Sequence, residues 1–275
     1  AQEHAMDDLV QQLLPLVEYG QLPQPTLPSM AQKVLQATKS NSLTTEQLAE
    51  LVEQDPAIAA HLVKIANSPL VGCPNDITDL RTAIGLFGVR YCSQLAVSLA
   101  LKQLFRAQQP VITEIIGQTW SDCTRVANLC MVMAKDYGIN QGTAYLSGLL
   151  HRIGALPILR WLDEQTDINI ERTAIQQLLH QHQAELGEQL LDDWGFPPAL
   201  CVIPHTFANL DHPGKAGTDS AQTSDLVAAA YHFLSVDRHQ WQDCKVLDRL
   251  GVGLEEVQKK MMAWQSLAAQ GGPAE

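Results

Sequence analysis

Apolar side chains recur at intervals of three and four residues from one end of this sequence to the other, and nowhere do they alternate with polar ones as a half-buried strand requires. That periodicity restricts the chain to helices packed on helices. Met6, Leu9, Val10, Leu13, Leu14 and Val17 form the first stripe, which breaks at Gly20 and at the proline-rich run Leu22 to Pro28, read as an extended arm. Thr44 and Gln47 have the spacing of a capping box, with Leu43 and Leu48 as a staple, and predict a helix that starts at Thr45 and ends before Asp55. Asp55 then supplies an N-cap and Pro56 a first-turn proline for a short helix with Ile58, Leu62 and Ile65 on one face, stopped by Asn67-Ser68-Pro69.

From Thr78 to Phe105 the apolar positions run through Gly85 and Gly88, which predicts two packed helices with a glycine corner between them. Pro110 resets the chain. Two long helices, about Val111 to Tyr137 and about Gln141 to Trp161, joined across Gly138, are expected to form the centre. Shorter ones are expected near Glu171 to Leu191, Pro197 to Ala208, Ser224 to Val236 and Leu254 to Ala268, with a loop at Asn209 to Thr218. No fixed-period repeat is present, which disfavours a solenoid. The expected architecture is therefore all-α, a single domain over 1–275 in which a helical part of about 1–107 packs against a second of about 108–275.

A chain of 275 residues, 46% of them apolar, can bury a core unaided and is not a disordered polymer. Its net charge of -12 has the wrong sign for condensing on phosphate backbones or anionic membranes, so neither nucleic acid nor membrane is expected as a partner. Charged residues make up only 17%, which leaves room for a protein-binding face. The six cysteines, Cys73, Cys92, Cys123, Cys130, Cys201 and Cys244, form no CxxC pair and sit mostly in apolar stretches, which predicts buried thiols and a cytoplasmic compartment, as does the lack of a basic-then-apolar leader.

The stretch Gly148-Leu149-Leu150-His151-Arg152-Ile153-Gly154 is the most suggestive for chemistry, because helical phosphohydrolases hold metals with a histidine and its neighbour. Here the neighbour is a guanidinium, a fixed positive charge where a metal needs a negative donor, so His151 is read as a buried, hydrogen-bonded histidine. His182 and Glu185, three apart on a helix, share a face, whereas His180 does not; no metal is assigned to them. Cys123 and Cys130, with Ala127 between them, read as core. No Ser-His-Asp signature, glycine-rich phosphate loop or Walker motif is present, and no cofactor is expected.

A series of motifs in order carries a resemblance: Asp55-Pro56-Ala57-Ile58 through Leu62, Ile65-Ala66-Asn67-Ser68, Ile77, Ala83-Ile84, Phe87-Gly88-Val89, Gly148-Leu149-Leu150-His151, and Leu186-Gly187 with Trp194-Gly195-Phe196-Pro197. Together they resemble the HDOD family, bacterial helical domains related to the HD metal-dependent phosphohydrolases, over roughly Leu22 to His205. The resemblance implies a non-catalytic module of bacterial regulation and signal transduction. It also implies where the metal site of the relatives falls. Their first histidine corresponds to Asp122, two residues after Trp120; the His-Asp pair to His151-Arg152; a later histidine to Gln183; and a His-His pair to His205-Thr206. Only His151 and His205 keep the ligand type, and Arg152 is expected to pair with Asp122 across the central helices.

No residue is assigned a catalytic role, and three readings of function follow. The leading one is a regulatory module that docks an unidentified protein. The second is a phosphohydrolase acting on a nucleotide or phosphoester, with a divalent metal held by His151, His205 and Asp122. The third is a sensor that takes a small anionic ligand, such as a phosphate, on Arg152.

Overall fold

The computed structural model describes residues 2–40, 42–68, 76–165, 171–214, 220–235 and 241–269, and every regular element among them is helical. Helix α1 (Gln2–Glu18) is followed by the arm at 21–28 and by α2 (Ser29–Thr38). In the arm Leu22, Pro25 and Pro28 are buried, and Pro28 has φ -55° and ψ 140°. Burial at every third residue matches the period of a polyproline II helix, about three residues per turn, and the Pro28 dihedrals lie in that region. The sequence reading passed over α2, although Met30, Ala31 and Val34 are buried on one side of it.

The punctuation of the next elements follows the sequence closely. Thr44 and Gln47 exchange both capping-box bonds at the start of α3 (Thr45–Val52). Asp55 accepts from the Ala57 and Ile58 amides at the start of α4 (Pro56–Ala66). Beyond α4 the Asn67 amide group donates to Ile77 O and accepts from Ile77 N, at 2.7 and 2.8 Å, so it braces the two ends of the intervening segment. The corner between α5 (Leu80–Phe87) and α6 (Val89–Leu101) is made by Gly88 alone, at φ 87° and ψ 154°, a region essentially closed to residues with a Cβ. Gly85 lies inside α5, which corrects the two-glycine corner.

The centre is α7 (Pro110–Ala134), which packs on α8 (Gln141–Leu150), α9 (Ala155–Glu164), α13 (Thr223–Leu234) and α15 (Leu254–Ala268). Its own N-cap side chain makes no capping bond. Asp163 of α9 does so instead, accepting from the Gln108 and Gln109 amides at 2.8 to 3.0 Å. The second long central helix is in fact two, α8 and α9, separated by turns at 151–154. Pro157 explains why they cannot be continuous, since its ring would clash with the carbonyl of residue 153 in an unbroken helix but fits the first turn of a new one.

Next come α10 (Arg172–Asp193), α11 (Pro198–Cys201) and α12 (Ile203–Thr206), then α13. Between α13 and α15 lies α14 (Lys245–Leu250), which the sequence reading also missed. The helix expected over Pro197 to Ala208 is split at Val202. The apolar core has two main clusters that meet along α7. Ile112, Ile115, Cys123 and Ala127 join the one shared with α1 to α11, and Leu129, Cys130 and Met133 the one shared with α8 and α12 to α15. The five cysteines among the described residues are buried free thiols; Cys73 lies outside those residues. No single described helix is long and apolar enough to cross a membrane.

Candidate functional site

Three glycine contacts bring the site together. A Cβ on Gly148 would lie 2.5 Å from Ala127 Cα, so α8 crosses α7 almost backbone to backbone. One on Gly154 would collide with the Gln183 carbonyl and lie 2.5 Å from Gly187 N, which draws the 151–154 turn onto α10. Gly187 in turn leaves room for the Pro204 ring, at 2.8 Å from its own absent Cβ, and so seats α12. Only residues without a side chain allow this approach, and it places Arg152 between α7 and α10.

Arg152 bridges them. Its Nη1 lies 3.7 Å from Asp122 Oδ2, and its Nε donates to Gln183 Oε1 at 3.2 Å. Asp122 also accepts from Gln118 Nε2 at 2.8 Å and has Arg125 Nη1 4.0 Å away, so its carboxylate faces two guanidiniums and an amide. Gln183 is buried, and the Arg152 side chain is 21% exposed. Three of the five site positions thus form one polar bridge.

His151 sits on the other side of the turn, 1% exposed. Its Nδ1 is 2.6 Å from Gly148 O; a carbonyl can only accept, so Nδ1 carries the proton and Nε2 presents a lone pair. Nε2 is buried with no hydrogen-bond partner, and the ring packs against Phe207 and Tyr231 with centroids 4.9 and 5.6 Å away. Burial pushes the imidazole pKa down to about 3, the Gly148 bond opposes this and the Arg152 charge adds to it, so His151 is neutral at physiological pH. His205 stands apart, exposed, with Nε2 2.8 Å from Glu188 Oε2. Burial likewise raises the Cys123 thiol to about 12, which makes it a packing group and not a nucleophile.

The motif residues are punctuation: Asp55 caps, Pro56 opens α4, Asn67 braces Ile77, and Ser68 follows at the helix end, its amide bonded to Ile65 O at 3.0 Å. Gly88 turns the corner and Gly148 admits α7. His180 and Glu185 are exposed and His182 is half-buried.

Residues 24–206 match the HDOD domain family. The chain belongs to the HDOD family. Among solved structures, a Shewanella amazonensis protein provisionally described as a metal-dependent phosphohydrolase shares 24% identity with this HDOD chain, covering 97% of it and 99% of its own length, with a TM-score of 0.78. An HDOD domain protein of Geobacter sulfurreducens shares 20%, covering 94% and 98%, with a TM-score of 0.64. A provisionally described signal transduction protein of Marinobacter aquaeolei shares 20%, covering 98% of this chain and 64% of its own, at 0.61. At these identities the likeness is one of fold. A Treponema pallidum protein described only as uncharacterized is 23% identical over 199 residues, which are 68% of this chain and 38% of that protein.

The description of the Shewanella protein raises the question of a divalent metal, and the donor set of this chain does not fit one. Arg152 puts a permanent positive charge among the positions, Gln183 offers a neutral amide, and the Asp122 carboxylate is already engaged. His205 is held by Glu188, and no group of three or more His, Cys, Asp or Glu poised to hold a metal occurs among the described residues. The lone pair of His151 Nε2 is the one donor left over at these positions.

Phe207, Tyr231, Gln118 and Glu188 complete this environment, and sequence reasoning did not find them. Gln118 was accessible to it, being four residues before Asp122 on one helix face. The others come from elements whose docking no local pattern encodes.

Proposed function

We propose that this HDOD chain is a non-catalytic regulatory module that works by docking a protein partner. The observation that carries the reading is the Arg152 bridge: the guanidinium lies between Asp122 and Gln183, so the groups that would organise a metal and its activated water are bonded to one another. A buried neutral His151, whose pKa lies near 3, cannot exchange protons with a substrate near pH 7 and acts as a packing group between the aromatic rings. The same bridge weighs against a small anion on Arg152, since an anion would have to displace both the carboxylate and the amide.

The deciding experiment is elemental analysis of the purified chain together with hydrolysis of p-nitrophenyl phosphate in added manganese. Neither bound metal in stoichiometric amount nor turnover is expected. Stoichiometric metal with turnover lost in His151→Ala would establish the phosphohydrolase instead. Phosphate-induced thermal stabilisation that disappears in Arg152→Ala would establish the anion sensor.

A further inference from the structure

The C-terminal half of α10 is charged against its own helix. After Arg172 the helix contains no lysine or arginine, while Glu185, Glu188 and Asp192 recur at i, i+3 and i+7 and share one face. Like charges at this spacing repel, and Asp192 stands in the last turn, where the negative end of the helix dipole disfavours a carboxylate. All three are exposed. Glu188 meets the His205 imidazole, but Glu185 and Asp192 have no side-chain hydrogen bond or ion pair among the described residues. The face therefore destabilises α10, and no cation of the described fold offsets it.

The structure facing this stripe is apolar. Gly195, at φ 74°, ends α10, and the Phe196 amide bonds back to Leu191 O at 3.0 Å. The chain then returns along α10 until Pro204 rests against Gly187. On that return Pro198 and Val202, a turn apart, are both exposed, Val202 at 41%. An open groove of about 510 Å³ lies between the two walls, and no lysine or arginine lines it. Cys201 is the buried residue of the lining. Burial raises its thiol pKa and the charges of Asp192 and Glu188 raise it further, as two carboxylates close by would.

One wall thus calls for positive charge and the other for apolar surface. A lysine or arginine side chain meets both, with its charged end on the carboxylates and its methylene stem on Pro198 and Val202. A bare metal ion does not, since no group of three or more His, Cys, Asp or Glu poised to hold one occurs among the described residues. We propose that this groove is a docking face of the module and that it takes a basic segment of a partner protein, with lysine or arginine flanked by apolar residues. The proposal rests on the docking reading above and gives that reading a site and the chemistry of its ligand.

The test uses the full chain and a synthetic amidated peptide of alanine and glutamine that carries lysines at i, i+3 and i+7 with leucines beside them. Heteronuclear NMR should show saturable shifts at the Gln189 side-chain amide and the Val202 methyl groups. Affinity should fall roughly tenfold or more in Glu185→Gln/Asp192→Gln and in Val202→Ser, and with a peptide whose lysines are glutamine. The Glu185→Gln/Asp192→Gln chain should melt at the same temperature or higher, because the repulsion and the dipole clash are gone. Glu255→Gln/Glu256→Gln, an exposed acidic pair on α15, should leave the affinity unchanged. No binding at millimolar peptide would overturn the groove, as would binding indifferent to Val202→Ser or equal weakening by the α15 pair. A lower melting temperature in the groove variant would do so too, since the carboxylates would then serve the fold. In a protein that also lacks turnover, any of these results leaves the docking reading intact. Metal-dependent turnover removes the docking reading itself.

Discussion

Gly154 is the residue on which the site's geometry depends most directly. An added Cβ would meet the Gln183 carbonyl and the Gly187 amide, which are backbone groups and cannot swing aside. Gly154→Ala is therefore expected to destabilise the chain by about 3 kcal/mol, read as a lower urea midpoint at unchanged slope. A change within a few tenths of a kcal/mol would mean that α10 is not held as closely as described. His151 makes a prediction of a different kind. Its folded pKa, about 3, lies below its ordinary 6.5, so between those values the unfolded chain binds a proton that the folded chain refuses. Stability from this group is complete above pH 6.5 and is lost as pH falls toward 3, with a limiting slope of about 1.4 kcal/mol per pH unit. Urea unfolding of the native chain and His151→Gln at pH 7 and pH 5 measures it: the native chain should lose more stability on acidification, and equal losses would show that His151 is not sealed.

At the scale of the element, the corner between α5 and α6 separates two glycines that a sequence treats alike. Gly88, at φ 87°, holds a conformation that side chains avoid, so Gly88→Ala should cost about 1–3 kcal/mol. Gly85 is exposed inside α5 with nothing within 4 Å of an added Cβ, so Gly85→Ala should stabilise by about 0.5–1 kcal/mol. Thermal melts of the two variants should move in opposite directions; a shared direction would contradict the corner. This pair also shows how far elements were legible. Thr44 with Gln47, and Asp55 with Pro56, announced helix starts because a cap is bonded within its own few residues. Helices α2 and α14 went unseen because they are short and their stripes are narrow, with three buried residues each. The break between α8 and α9 was signalled by Gly154 and Pro157 together, but the apolar period runs straight through it.

For the whole molecule, the helices beyond the family match are joined by a buried polar cluster. Asp225 is fully buried and accepts from Arg249 Nε and Nη2 at 3.0 and 2.6 Å, with His212 Nε2 at 3.2 Å. Burial alone would raise its pKa, but the bonds from His212, Arg249 and the Gln222 amide overcome that and hold the carboxyl below its usual value. Its contribution to stability is present above the ordinary carboxylate range and is lost as pH falls through it. Arg249→Ala leaves this carboxylate buried without its guanidinium, held only by His212 and the Gln222 amide, and a loss of about 3 kcal/mol is expected by urea denaturation. Asp225→Leu/Arg249→Leu, which removes both charges, should recover much of it; a double variant as unstable as the single would show that packing, not the buried charge, is responsible.

The sequence by itself determined the helical class, most helix starts and stops, the family motifs and the positions Asp122, His151, Arg152, Gln183 and His205. The helices and their ends are written in local spacing, because a helical period, a cap or a left-handed glycine involves residues within a turn or two of each other, whereas the five site positions came from the resemblance of the ordered motifs to a family. Only the tertiary structure decided which of those positions meet: Arg152 with Asp122 and Gln183, but His205 with Glu188 and His151 with Phe207 and Tyr231. It also seated the proline arm on Trp194. Those contacts depend on how closely the helices approach at Gly148, Gly154 and Gly187, which is a property of two backbones at once and leaves no periodic trace in either.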